Sequence, residues 1–93
     1  MTKQNSETLD ELRSSIDKID QVIVSAIGKR MKLVGKVGRY KKNKGIQPLD
    51  KIRWQQVLDS KKNLAIKHNL SPKLIVDIYN IMHRNALKIE EKI

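Results

Sequence analysis

Between Thr8 and about Lys42, apolar residues recur at Leu9, Leu12, Ile16, Ile19, Ile23, Ala26, Ile27, Met31, Val34 and Val37. The steps are threes and fours, the period of one helical face, and they predict a single long amphipathic helix. Thr8 with Glu11 three residues on makes a capping box at its start. Asn43-Lys44-Gly45 marks its end, since Gly can take a left-handed conformation there, and Pro48 follows. A second stripe of Trp54, Val57, Leu58, Leu64 and Ala65 predicts a helix from near Asp50, its N-cap or first-turn carboxylate, to near His68-Asn69. Ser71-Pro72 signals a third helix, a capping Ser before Pro at the first helical position. Its stripe is Leu74, Ile75, Ile78, Ile81, Met82, Ala86 and Ile89. No stretch alternates as a strand does, and no segment repeats. The predicted fold is all-α, with helices of about 35, 19 and 20 residues. Residues 1–7 are polar and predict a flexible N-terminus; residues 8–93 form one helical domain.

The length of the first helix has a consequence. About 35 residues at 1.5 Å each span roughly 50 Å. A compact chain of this size is only about 30 Å across. The apolar stripe therefore needs cover that the chain does not supply, and the simplest cover is a second copy. An intertwined homodimer is expected. Gly28, Gly35 and Gly38 lie inside this helix, each costing about 1 kcal/mol against Ala. At Gly38, close approach of a backbone or ligand and plain tolerance in a buried helix are both open; at Gly28, tolerance is the favoured reading.

Composition narrows the chemistry. There is no cysteine, which excludes disulfides, thiolate metal sites and a Cys nucleophile. No apolar run approaches the ~20 residues of a membrane span, and the first residues lack the apolar core of a signal peptide, so a cytoplasmic protein is expected. The net charge of +10 favours anionic partners: nucleic acid, acidic lipid or a small polyanion. Many of the lysines need do no more than solvate helix surfaces. No nucleophile–base pair is visible. His68 sits at a helix end, where it meets the dipole favourably, and His83 is expected on the surface or rim of the third helix. Two His without a carboxylate at ligand spacing make no metal site, and no cofactor is expected. No glycine-rich phosphate loop follows a strand.

What remains is a set of fixed cations beside apolar residues. Arg30 and Lys41 are 11 residues apart in the sequence, which leaves them only about 20° apart around a helix axis. Val34, Val37 and Gly38 lie between them on that face. Cation, small apolar floor, cation suits a small ligand with an apolar body and anionic ends. Arg13 precedes Arg30 by about 100° and roughly 25 Å. In a symmetric dimer it could serve the other subunit's pocket. This equipment suits binding, or a reaction that needs positioning and electrostatics alone.

The chain resembles the small all-helical, dimeric chorismate mutases over nearly its full length. The resemblance rests on Leu12-Arg13-x-x-Ile16-Asp17-x-Ile19-Asp20, then Gly28-Lys29-Arg30-Met31, Val37-Gly38-x-x-Lys41, Asp50-x-x-Arg53, and a polar group at Glu90. It implies that Arg30, with Arg13 of the partner subunit, binds the two carboxylates of the substrate through bidentate pairs. It implies Lys41 at the ether oxygen and a carboxylate, Asp50 at the ring hydroxyl, Arg53 closing the cationic wall, and Glu90 at the ether oxygen from the other side. Arg30, Lys41 and Glu90 would be the catalytic residues. The reaction, chorismate to prephenate, is pericyclic and needs neither nucleophile nor general base, which fits their absence; it proceeds by differential binding of the transition state.

Three positions depart from the family pattern. Trp54 stands where many members carry a Glu that contacts the substrate hydroxyl, Ala86 where Ser or Thr is usual, and Glu90 where Gln is frequent. The first two remove polar contacts. A carboxylate at the third cannot donate a hydrogen bond to the ether oxygen, so Glu90 must be protonated to help. Isochorismate pyruvate lyases share the long-helix pattern and are the near alternative; Asp50 and the Lys41-to-Arg53 spacing favour the mutase. A basic helical nucleic-acid-binding module is the alternative from another class, favoured by Lys41, Lys42, Lys44, Lys61, Lys62 and Lys67. Against it stand the lack of a short helix-turn-helix pair and the scarcity of aromatic stacking residues.

Overall fold

The computed structural model describes residues 7–93. These form three helices: α1 (Leu9–Lys44), α2 (Lys51–Lys67) and α3 (Pro72–Glu91). No strand occurs among the described residues. No helix of theirs is long and apolar enough to cross a membrane. The flexible N-terminus expected over residues 1–7 lies, but for Glu7, outside the described residues. The chain divides into two compact units, the described residues 7–32 and Leu33–Ile93.

In the first unit the capping box forms as expected. Thr8 N–H donates to Glu11 Oε1 and Glu11 N–H to Thr8 Oγ1, each at 3.1 Å, so two otherwise orphaned donors of the first turn are satisfied. Asp10 and Glu11 add carboxylates where the helix dipole favours them. The apolar stripe of this unit is open to solvent. Leu9, Leu12, Ile16, Ile19 and Ile23 are all exposed, from 45% at Leu12 to 60% at Leu9 and Ile19.

In the second unit α1 ends in a complete Schellman motif. Ile46 N–H donates to Lys41 C=O at 2.8 Å and Gly45 N–H to Lys42 C=O at 3.2 Å. Gly45 takes φ 68°, a conformation that costs Gly least. The same motif closes α2. Leu70 N–H donates to Ala65 C=O at 2.8 Å and Asn69 N–H to Ile66 C=O at 3.1 Å, with Asn69 at φ 59°. Asn tolerates that region better than most residues. Asp50 and Ser71 cap α2 and α3 by accepting from Arg53 N–H at 2.9 Å and Leu74 N–H at 3.4 Å. On the outer face of α3, Lys73 and Asp77 pair at 2.8 Å. The hydrogen bond and the charge of Asp77 hold the Lys73 ammonium above its usual pKa.

The short connection of 68–71 folds α3 back against α2, and this hairpin carries the small core. Val57, Ala65 and Ala86 are its buried apolar residues. Trp54 and His83 stack face to face across it, their ring centroids 3.8 Å apart and their planes 7° from parallel. Lys61 occupies the inward row that the apolar stripe left unassigned; it is half-buried, with Nζ 5.8 Å from the Tyr79 ring centroid. Leu74, Ile78 and Ile81, expected on the stripe of the third helix, are exposed. Ile75, Tyr79, Met82 and Ala86 are the half-buried or buried row instead.

Candidate active site

Gly38 is the floor on which the site of the second unit is built. A Cβ placed there would lie 3.2 Å from Glu90 Cα, 3.1 Å from Glu90 Cγ and 2.8 Å from Ile93 Cδ1. Any side chain at position 38 would collide with the last turn of α3. The close approach left open in the sequence is therefore an approach of backbone. Gly28 has nothing within 4 Å of such a Cβ, and at Gly35 the nearest atom is Arg39 Nη1 at 3.7 Å, an ordinary contact.

One turn beyond Gly38, Lys41 Nζ lies 3.0 Å from Glu90 Oε1. The two side chains are 18% and 9% exposed, so the pair is largely shielded from water. Lys41 Nζ also donates to Pro48 C=O at 2.5 Å, which ties the loop after α1 to the same ammonium. Lys42 Nζ donates to the backbone oxygen of Ile93. Gly38, Lys41, Ile46, Pro48, Glu90 and Ile93 line a cleft of about 470 Å³, within the size range of small-molecule sites. Lys42, Gln47 and Glu91 also line it, and the Lys41–Glu90 pair is its most shielded polar feature.

The remaining expected residues fall as follows. Asp50 and Arg53 are neighbours at the first turn of α2, and both are exposed. One oxygen of Asp50 is engaged as the N-cap, accepting from Arg53 N–H. Arg13 and Arg30 lie on α1 in the first unit, Arg13 exposed and Arg30 half-buried. Separated by 17 residues of one helix, roughly 25 Å, they do not meet within the chain. No group of three or more metal-ligating side chains occurs among the described residues.

Two features went unread in the sequence. His83, expected at the surface or rim, is half-buried and stacks on Trp54. It lies seven residues before Glu90, two helical turns, so the two share a face of α3; that spacing was the available signal. The contact of Ile93 with Gly38 had no signal, because it joins residues from opposite ends of the unit.

A cation and a carboxylate held together over a glycine floor suit the binding of a small anionic ligand, and a reaction that works by positioning and electrostatics. Comparison with known proteins names the family. The model for chorismate mutase type II matches residues 12–91, and the chain belongs to that family. Its enzymes are isomerases, and the chain is an enzyme of the chorismate mutase kind. It is 32% identical over 84 residues to the chorismate mutase of Methanocaldococcus jannaschii, covering 88% of this chain and 85% of that one. It is 26% identical over 91 residues to the 4-amino-4-deoxychorismate mutase of Streptomyces venezuelae, covering 98% and 86%. It is 30% identical over 86 residues to the T-protein of Haemophilus influenzae, covering 92% of this chain but 23% of that protein. No solved structure matches the chain significantly.

Proposed function

We propose that the protein converts chorismate to prephenate as an intertwined homodimer with two equivalent sites. The observation that carries the reading is the Lys41–Glu90 pair, held at 3.0 Å over the Gly38 floor in a chain of this family. The rearrangement breaks one C–O bond and forms one C–C bond within a single molecule. The site has to hold a compact, chair-like conformer and stabilise the negative charge that develops on the ether oxygen. Lys41 supplies that charge complement from one side. Glu90, when protonated, donates from the other. Arg30 and Arg13 of the partner subunit pair with the two carboxylates as forks. Asp50 accepts from the ring hydroxyl with the oxygen not engaged in capping α2, and Arg53 completes the cationic wall.

The dimer is supported by the uncovered stripe of α1. Leu12, Ile16, Ile19 and Ile23 present large apolar side chains to solvent in the single chain. Apolar surface of that extent calls for a partner, and a twofold arrangement gives each stripe the same cover. Such an arrangement also allows Arg13 and Arg30 of different chains to act on one substrate.

The test is to offer the purified protein chorismate, isochorismate and 4-amino-4-deoxychorismate separately and to identify the products. Prephenate from chorismate is expected to dominate. Salicylate and pyruvate from isochorismate alone would convert the reading to a lyase. Preferential rearrangement of the amino compound would assign the loss of the carboxylate at position 54 to substrate choice. Turnover of none would leave a binding module, for which steeply salt-dependent DNA binding is the next measurement.

A further inference from the structure

Glu90 is the last residue but one of its helix, in the last turn, where fraying is ordinarily greatest. Its backbone is nonetheless fixed against α1 by two contacts that take no part in the chemistry proposed above. Ile93 sits over Gly38, so close that a Cβ on Gly38 would meet Ile93 Cδ1 at 2.8 Å. Lys42 Nζ reaches across to the backbone oxygen of Ile93. Ile93 N–H in turn donates to Glu90 C=O at 3.3 Å, and Lys92 N–H to Lys88 C=O at 3.3 Å. The last turn is thus pinned through Ile93 and its backbone oxygen, while Lys41 holds the Glu90 side chain.

We propose that Lys42 and Ile93 are positioning residues for the mutase reaction: together they clamp the end of α3 onto Gly38 and so hold the Glu90 carboxyl beside Lys41. The inference rests on the reading of Glu90 and Lys41 as members of the site. The two adjacent lysines divide the work. Lys41 faces the cleft and meets the carboxyl group. Lys42 is exposed at the rim of the same cleft, meets backbone, and fixes the turn that carries that carboxyl. Without the clamp, Glu90 can leave Lys41 by fraying of its own helix end, and the donor to the ether oxygen is misplaced although every side chain of the site is still present.

The experiment compares Ile93→Ala, Ile93→Leu and Lys42→Met with the parent, each alone and combined with Glu90→Ala. Steady-state kinetics with chorismate and amide exchange at Lys92 and Ile93 are the readouts. Ile93→Ala and Lys42→Met should each lower kcat about tenfold with KM nearly unchanged, since displacement of a catalytic group by about an ångström costs up to a hundredfold. Ile93→Leu should restore most of the rate. In the Glu90→Ala background the same substitutions should have almost no further effect, because what they position is gone. The exchange of both amides should quicken in Ile93→Ala. Losses that multiply with that of Glu90→Ala would show a general structural role and overturn the proposal. So would an unchanged kcat in a variant whose amides exchange faster. A parent that does not turn over chorismate would remove the functional reading itself, and the clamp's role with it; an active parent with indifferent clamp variants would remove the clamp alone.

Discussion

Replacing Gly38 by Ala tests the site through its floor. In a helix interior the change alone favours the folded chain by about 1 kcal/mol, because Ala has the better helix propensity. Here the new methyl would lie 3.2 Å from Glu90 Cα and 2.8 Å from Ile93 Cδ1, where ordinary contacts are 3.4–4 Å. Ile93 can rotate its terminal methyl away. The Cα of Glu90 is backbone and cannot, so the last turn of α3 must move by several tenths of an ångström. Overpacking of this kind costs about 1–3 kcal/mol, which outweighs the propensity gain. The net loss should be about 1 kcal/mol, a fall in Tm of about 4–8 °C for a domain of this size. Turnover should fall further than stability, by about 10- to 100-fold, because the displaced residue carries the carboxyl group paired with Lys41, on which the proposed reaction depends. Thermal unfolding should be followed by circular dichroism at one fixed protein concentration, since the Tm of a dimer depends on it. Prephenate formation would be measured well below the transition. Gly35→Ala is the control: its methyl would meet only Arg39 Nη1 at 3.7 Å, so propensity should prevail and Tm should rise. If Gly38→Ala is as stable and as active as the parent, the packing of α3 on α1 at Glu90 is not as described, and the site built on it falls.

Arg30→Ala should nearly abolish turnover, by about 2–5 kcal/mol of lost pairing with a substrate carboxylate, while far-ultraviolet dichroism stays unchanged; a large loss of stability with retained specific activity would make Arg30 structural. Arg13→Ala should behave likewise, and mixed dimers of the two variants should regain one working site of two, an outcome impossible if both arginines act within one chain. Sedimentation at micromolar concentration should give a dimer, and a monomer alone would remove the shared site. Glu90→Gln places a neutral hydrogen-bond donor beside Lys41 and should match or exceed the parent in prephenate formation; a Glu90→Ala variant as active as the parent would take Glu90 out of the site. Trp54→Glu should raise turnover if the indole merely replaces a hydroxyl contact, and should lower both activity and stability if its stack on His83 holds the α2–α3 hairpin together.

The parts of this fold that were legible in the sequence are those governed by neighbours in the chain. Thr8 and Glu11 are three residues apart, and their mutual hydrogen bonds follow from helical geometry alone. Gly45, Asp50 and Ser71-Pro72 mark helix ends for equally local reasons, and α2 and α3 match their expected limits to within about two residues. What was not legible depends on which faces meet. The apolar pattern of α3 supports a stripe through Leu74, Ile78 and Ile81 as well as one through Ile75, Met82 and Ala86; only packing against α2 selects the second. The first then remains apolar and exposed, like the stripe of α1, so a pattern too broad for one chain is itself a sign of a second partner surface. The same reasoning covers the site. Lys41 was named by the stripe of its helix and Glu90 by the family resemblance, but their separation of 3.0 Å follows from Gly38, whose missing side chain lets the two backbones approach. A glycine inside a helix leaves room for a close approach, which Gly38 uses and Gly28 does not. What comes close is decided by the tertiary fold, and here it is the Cα of the residue whose carboxyl group completes the pair.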